Sequence, residues 1–179
     1  MRIAEAFIAE LEQELPATKR VLERVPQAHL SWKPHRKSMS LGQLALHVAT
    51  VPGSVASLVA QDVVPEPPSF IPQEAATATE LIPALEASVA QARSIVSGFD
   101  DAAMLATWRL MHQGQELMAM PRVGMLRAIM LNHWYHHRGQ LMVYLRMHDV
   151  PLPSVYGPTA DENPFATVLE MRSAGAARS

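Results

Sequence analysis

Apolar and polar positions follow a helical period along most of the chain. Apolar residues recur every three or four positions, the spacing that places side chains on one face of an α-helix. This pattern predicts four amphipathic helices, over about residues 2–25, 40–60, 77–98 and 121–148. Four such helices joined by long connections are expected to form an all-α fold, a four-helix bundle.

Capping residues mark the boundaries of two of these predicted helices. Ser40 is followed three positions later by Gln43, and Thr77 by Glu80. Both pairs have the spacing of a capping box, in which each side chain binds the backbone N–H of the other residue. Gly98 follows the apolar stripe of the third helix and is typical of a helix C-terminus. We therefore expect the second and third helices to begin at these caps and the third to end at Gly98.

The connections between the helices differ in composition. Four prolines between residues 62 and 73 exclude a helix there. Residues 107–120 have Gly114 at their centre, which favours a hairpin or an extended excursion, although their Met and Leu residues suit a helix equally well. We interpret residues 1–170 as one domain and residues 171–179 as a frayed tail.

The composition excludes several classes of partner. The formal net charge of −2 over 179 residues gives no electrostatic reason to bind nucleic acid or an anionic membrane. Residues 38–61 carry no formal charge, but the polar groups within them favour a buried bundle helix over a membrane span. We therefore expect a cytoplasmic protein that binds neither nucleic acid nor a membrane.

The chain contains no cysteine. Disulfide bonds, thiolate metal sites and a cysteine nucleophile are therefore excluded. Any metal ion must be bound by nitrogen and oxygen ligands.

Three histidines lie on the apolar faces of two predicted helices. His133 and His137 are one helical turn apart, so they share a face and can bind one metal ion, and His47 lies in the apolar stripe of the second helix. Buried imidazoles without a hydrogen-bond partner cost roughly 1–3 kcal/mol each, and one shared cation would satisfy all three. The alternative is that each is a core histidine with its own hydrogen bond, and the pattern alone does not decide between the two.

His136 competes with His137 as the second histidine of this helix. Both spacings from His133 can chelate a metal, but position 137 continues the apolar stripe, whereas position 136 turns to the flank. The intervening residues lack the glutamate of the His-Glu-x-x-His metalloprotease motif. No Glu-x-x-His motif of a di-iron carboxylate bundle is present either.

Four segments of the chain resemble the DinB-like (DinB/YfiT-like) superfamily of metal-binding proteins. They are Trp-Lys-Pro-His at residues 32–35, the segment from Ser38 to His47, the block from His133 to Gln140, and residues 153–158 ending in Tyr-Gly-Pro. In this order and spacing they are specific, and the resemblance covers about residues 5–165. It implies an up-down-down-up four-helix bundle with a long crossover, commonly present as a homodimer.

The resemblance also implies a divalent metal, usually nickel or zinc, on the positions of His47, His133 and His137. The best understood members are thiol-dependent, being transferases that use bacillithiol or mycothiol and a mycothiol-dependent isomerase. The first hypothesis is therefore a metal-dependent transferase or hydrolase acting on a small molecule, in one version with a low-molecular-weight thiol. The alternative is a non-catalytic metal-binding or stress-related dimer, in which a structural ion braces the second helix against the fourth.

Two arginines are candidates for binding the carboxylate of such a thiol. Arg138 follows His137 directly, and Arg109 lies in the predicted excursion. The alternative for both is a salt bridge, which we favour for Arg109. Partners for the second nitrogen of each ligating imidazole are available among Asn132, Gln140, Glu116 and Asp161, and the sequence does not choose among them.

Overall fold

The computed structural model of the protein describes residues 2–69 and 71–166. The frayed tail predicted for residues 171–179, and the predicted domain end at residue 170, lie outside the described residues.

Helices account for most of the described chain. They are α1 (Ile3–Leu22), α2 (Leu41–Val59), α3 (Leu81–Ser97), α4 (Asp101–Leu105), α5 (Arg122–Met125) and α6 (His133–Arg146), with short 3₁₀ turns at Gln27–His29 and Ala78–Glu80. A π-helical segment, Leu126–Asn132, joins α5 to α6 without a break. The fourth predicted helix is therefore one continuous helix over residues 122–146 with a widened section in its first half.

The predicted caps are present. The Ser40 hydroxyl accepts the Gln43 N–H at 3.1 Å, and the Gln43 side-chain oxygen accepts the Ser40 N–H at 2.9 Å. The Thr77 N–H donates to the Glu80 carboxylate at 3.1 Å, in front of α3. α3 ends at Ser97, and Gly98 follows with a φ of −76°. The helix therefore stops where predicted, but without the left-handed residue that glycine often supplies.

The protein also contains a small β-sheet, which the expected all-α fold does not include. It contains β1 (Val63–Val64), β2 (Thr107–His112) and β3 (Gln115–Pro121) in the order β1-β2-β3. β1 runs parallel to β2, and β2 and β3 form an antiparallel hairpin. The hairpin turns at Gln113 and Gly114, with φ values of +51° and +77°. Two successive residues with positive φ match the twist of a two-residue hairpin, so the hairpin interpretation of this segment is confirmed.

α2 lies at the centre of the protein. It packs against α3, against α6 and against the π-helical segment, while α1 packs against α3 and α6. A Cβ on Gly53 would lie 2.6–3.0 Å from atoms of Gln91 and Ser88, so glycine is what allows α2 and α3 to approach this closely. α2 is long and apolar enough to cross a membrane, but more than half of it is buried inside the protein, as the sequence predicted.

Arg122 fixes the start of α5 against the end of α2. Its side chain is 2% exposed, its Nε donates to the Val59 carbonyl at 2.8 Å, and it forms an ion pair with Asp62. A cation at the C-terminus of α2 satisfies a carbonyl that has no donor within the helix. The two elements that carry the histidines are thus held together at one end.

Candidate metal centre

The structure brings His47, His133 and His137 together. His47 comes from the middle of α2, His133 is the first residue of α6, and His137 follows one turn later. One ring nitrogen from each lies within 4.8 Å of the other two, and Nε2 of His47 is 3.0 Å from Nε2 of His133. All three side chains are partly buried. Three imidazole nitrogens at these separations form a cluster that could bind one metal ion.

A proline in α2 helps to set the register of α2 against α6. Pro52 lies inside the helix and has no N–H, so the carbonyl of Val48 lacks its usual donor four residues later. The indole Nε1 of Trp134, a side chain that is 0% exposed, donates to that carbonyl at 2.8 Å. Val48 and Trp134 directly follow His47 and His133 in the sequence, so this hydrogen bond also places the two histidines opposite each other.

The environment keeps all three imidazoles neutral. Burial, followed by the nearby His137 and His133, lowers the pKa of His47 from 6.5 to about 4. Burial also lowers the pKa of His133 and of His137 below the usual value, and repulsion from neighbouring histidines acts in the same direction. A neutral imidazole has a lone pair for a metal ion, so the cluster is ready to bind one at neutral pH.

Gln140 orients one of the three rings. Its side-chain oxygen lies 2.7 Å from Nδ1 of His137. An amide oxygen only accepts, so Nδ1 must carry the proton and Nε2 keeps its lone pair. Of the four candidate partners from the sequence, Gln140 is therefore the one in contact with a histidine of the cluster. Glu116 pairs instead with Arg109, Asp161 pairs with Arg146, and Asn132 is exposed.

The cluster opens onto a cavity of about 840 Å³. One wall is the face of α2 that carries His47, and a second is the proline-rich segment around Pro68 and Pro72. Ile129 of the π-helical segment lies beside the histidines. π-helical turns are frequent at functional sites. A cavity of this volume is within the range of about 300–1,000 Å³ typical of small-molecule sites.

Neither candidate arginine lies in this cavity. Arg138 is 2% exposed and bonds to the Glu14 carboxylate at 2.7 Å, to the Thr18 hydroxyl at 2.8 Å and to the Tyr156 hydroxyl at 2.5 Å. Arg109 pairs with Glu116 across the β2–β3 hairpin. The structure therefore does not bring either side chain to the histidine cluster, where a substrate carboxylate was expected to meet them. The salt-bridge interpretation, favoured for Arg109 only, describes both.

The comparisons with known proteins agree with this architecture. A family model described as the DinB family matches residues 2–164. The chain belongs to the DinB family. A DinB-like protein from Bacillus cereus ATCC 10987 has a similar structure, with a TM-score of 0.65 and 22% identity over 85% of this chain and 97% of that chain. A DinB-like protein from Bacillus subtilis has a TM-score of 0.62 and 18% identity over 84% of this chain and 97% of that chain.

These structural likenesses show that the fold is shared with DinB-like proteins. Their identities are too low to carry more than the fold. No curated protein matches the chain significantly. The activity of this DinB-family protein must therefore be argued from its own residues.

Two of the segments that indicated the DinB resemblance have structural roles. The Tyr156 hydroxyl donates to Glu14 at 2.8 Å and so completes the buried cluster around Arg138. Trp32 packs edge-on against Tyr144 near the C-terminal end of α6. Both contacts hold the chain around α6, which carries two of the three histidines.

Sequence reasoning missed the other residues that shape this DinB-family site. No sequence pattern predicts the role of Trp134, and the prolines between residues 62 and 73 indicate only that no helix forms there. Pro52 was a usable signal, because a proline inside a helix always leaves one carbonyl without a donor. No local signal places Pro68 or Pro72 beside the histidines, because that proximity depends on the tertiary packing, whereas Ile129 lies four residues before His133 on the same helix.

Proposed function

We propose that the protein is a metal-dependent transferase or hydrolase for a small molecule, with one divalent ion bound by His47, His133 and His137. The observation that carries this proposal is the cluster of three neutral imidazoles at the edge of a cavity of about 840 Å³. A purely structural site is usually closed by a fourth protein ligand, whereas three histidines leave positions for a water molecule or a substrate.

The donor set fits nickel or zinc. All three candidate ligands are imidazole nitrogens, which both ions accept, and the chain has no thiolate to compete with them. A bound ion would supply Lewis-acid chemistry at this end of the cavity and would lower the pKa of a coordinated water. The chain itself contributes the orientation of His137 through Gln140, and apolar walls that exclude bulk water from the reacting group.

Metal analysis with matched variants tests the binding step. Protein purified from its own host is expected to contain close to one nickel or zinc ion per chain. His47→Ala and His137→Ala should lose the ion, because each removes one of three ligands. His136→Ala is the matched control, since His136 is exposed on the same turn of α6 and should leave the content unchanged. Equal metal content in all four proteins would contradict the proposed ligand set.

The thiol-dependent version rests on the family resemblance. No lysine or arginine is found among the described residues that line the cavity, so the carboxylate of a thiol cofactor has no cationic partner there. We nevertheless propose a direct test: incubation of the metal-loaded protein with bacillithiol, mycothiol or glutathione and monochlorobimane. Metal-dependent conjugation with one of them would support this version, and none with any of them would remove it.

A structural ion is the second candidate function. It is favoured by the origin of the ligands, because the cluster joins α2 to α6 and an ion would brace the two helices. His47→Ala discriminates between the two. A large fall in Tm, together with no detectable activity in the unchanged protein, would favour a brace. Loss of an activity with little change in Tm would favour catalysis.

Several features inferred from the resemblance complete the proposal. We propose that the long helices form the up-down-down-up bundle with a long crossover, which the packing of α2 between α3 and α6 supports. We also propose a cytoplasmic homodimer. Light scattering coupled to gel filtration measures the mass directly, and a value near the 19.7 kDa of one chain would contradict the dimer.

A further inference from the structure

The cavity beside the histidines has uncharged walls. Among the described residues that line it there is no aspartate, glutamate, lysine or arginine. Most of the surface that faces the cavity is apolar, and it includes Leu46 and Val55 on α2, Ile129 on the π-helical segment and Ile71 on the proline-rich segment. A charged ligand moved into such walls would lose its hydration without gaining a partner of opposite sign.

Half of the serine, threonine and glutamine side chains among the described wall residues bind the protein itself. The Thr50 hydroxyl donates to the Leu46 carbonyl at 2.9 Å. The Ser57 hydroxyl donates to the Gly53 carbonyl at 2.9 Å and accepts from the Gln91 amide at 2.9 Å. These groups therefore offer a ligand little hydrogen bonding.

The side chain of Gln43 likewise binds the protein and not the space inside the cavity. Its side-chain oxygen caps the start of α2, and its amide nitrogen donates to the Pro72 carbonyl at 3.3 Å. Within the described part of the chain, the uncharged lining side chains of Ser54, Gln61 and Gln73 are not used in this way and face the cavity together with the histidine cluster.

We infer that the cavity binds a neutral, largely apolar small molecule, with its one polar reacting group directed at His47, His133 and His137. The inference rests on the proposed function for the role of that reacting group, and it names the substrate class. The aliphatic side chains of both walls bury the body of the molecule, and the few open polar groups accommodate uncharged donors or acceptors. Away from the histidine cluster, the described wall residues offer no countercharge to a charged molecular body.

The proline-rich segment forms the outer wall of this binding site. Ile71 is 70% exposed and yet lines the cavity, so it lies at the opening. An isoleucine at the opening would otherwise expose apolar surface to water. Covering this side chain with an apolar ligand therefore makes binding more favourable.

Two dyes of nearly identical shape test the inference. N-phenyl-1-naphthylamine is neutral, and 8-anilino-1-naphthalenesulfonate adds one sulfonate to the same aromatic skeleton. With the full-length protein as purified, we expect fluorescence titration to show saturable binding of the neutral dye at one site per chain. We expect the sulfonate dye to bind at least about tenfold more weakly, because its charge has no partner in the walls.

A charge placed in the wall should reverse this preference. Ser54→Arg puts a cation at an exposed position that lines the cavity. It should therefore weaken the binding of the neutral dye and strengthen the binding of the sulfonate dye. Ser94→Arg is the matched control, because Ser94 is exposed on α3 and does not line the cavity.

The outcomes separate this inference from the proposed function. Equal or tighter binding of the sulfonate dye by the unchanged protein would overturn the inference, as would the same effect of Ser54→Arg and Ser94→Arg. Neither result would contradict the proposed function if elemental analysis finds the metal ion. If the purified protein contains no metal but still prefers the neutral dye, the proposed function is contradicted. The inferred binding site for a neutral molecule is then still supported.

Discussion

Arg138 shows how adjacent residues on a helix serve different purposes. Successive side chains on an α-helix are turned by about 100°, so Arg138 faces away from the side that His137 presents to the cavity. It is buried against Glu14, and the hydroxyl of the exposed Tyr156 bonds to both side chains. Proximity to a metal ligand in sequence is therefore weak evidence for a role at the metal, whereas the spacing of His133 and His137 is strong evidence.

Removal of the Arg138 charge tests its structural role. Arg138→Gln leaves the Glu14 carboxylate buried without its cation, so we expect the free energy of unfolding to fall by about 3–5 kcal/mol. Urea denaturation measures this loss, and the metal content should stay unchanged. Arg109→Gln breaks an exposed pair and should cost no more than about 1 kcal/mol. A substrate-binding role for Arg138 would instead give unaltered stability and a weakened interaction at the cavity.

Gln140 acts on the metal through His137. Gln140→Leu removes the acceptor that holds the Nδ1 proton, so metal affinity should fall by about 10- to 100-fold. Competition with a chelating indicator dye measures the affinity, and circular dichroism checks the fold. Gln140→Glu keeps an oxygen acceptor and should restore binding. If the Glu and Leu variants lose affinity equally, the contact does not orient the ring.

At the scale of elements, local signals were sufficient for the helix starts and indicated the hairpin, but they did not indicate β1. The caps at Ser40 and Thr77 depend on residues three positions apart, so their chemistry is readable in the sequence. β1 pairs with β2 through Val63 and Arg109, which are far apart in the chain. A two-residue strand has too short a pattern to be recognised before its partner is known. The protein is mostly helical as expected, and β1 is the element that no sequence pattern indicated.

The link between Pro52 and Trp134 gives an element-scale prediction. Trp134→Phe keeps an aromatic ring but leaves the Val48 carbonyl buried without a donor, so we expect a loss of about 1–3 kcal/mol in stability. Pro52→Ala returns an N–H to position 52 that can satisfy the same carbonyl. Trp134→Phe should therefore cost less in the Pro52→Ala background than in the unchanged protein.

Urea denaturation of the two single variants and the double variant measures this coupling. Metal affinity of Trp134→Phe, measured in parallel, should also fall, since the hydrogen bond sets the register of His47 against His133. Additive stability losses in the double-mutant cycle would show that Val48 does not link the two positions.

For the whole molecule, the sequence indicated the histidine cluster more fully than the cavity beside it. His47 could be grouped with His133 and His137 because each interrupts an apolar stripe, and an apolar stripe faces the interior wherever the helix packs. The cavity walls have no such pattern. The proline-rich segment reaches the site because the Gln43 amide and the neighbouring packing hold it there. Substrate chemistry is therefore a property of the assembled fold.

The histidine cluster should also make the stability of the metal-free protein depend on pH. The pKa of His47 is lowered in the folded state, so the unfolded chain binds the proton first as the pH falls. Stability is thus complete above about pH 6.5, the ordinary value, and is lost progressively as the pH falls towards about 4. In EDTA, Tm should fall over this window, and His47→Gln should reduce the slope while His35→Gln, in an exposed loop, should not. An unchanged slope in His47→Gln would mean that His47 is not held neutral by burial in the cluster, which would remove the electrostatic basis for a preformed metal site.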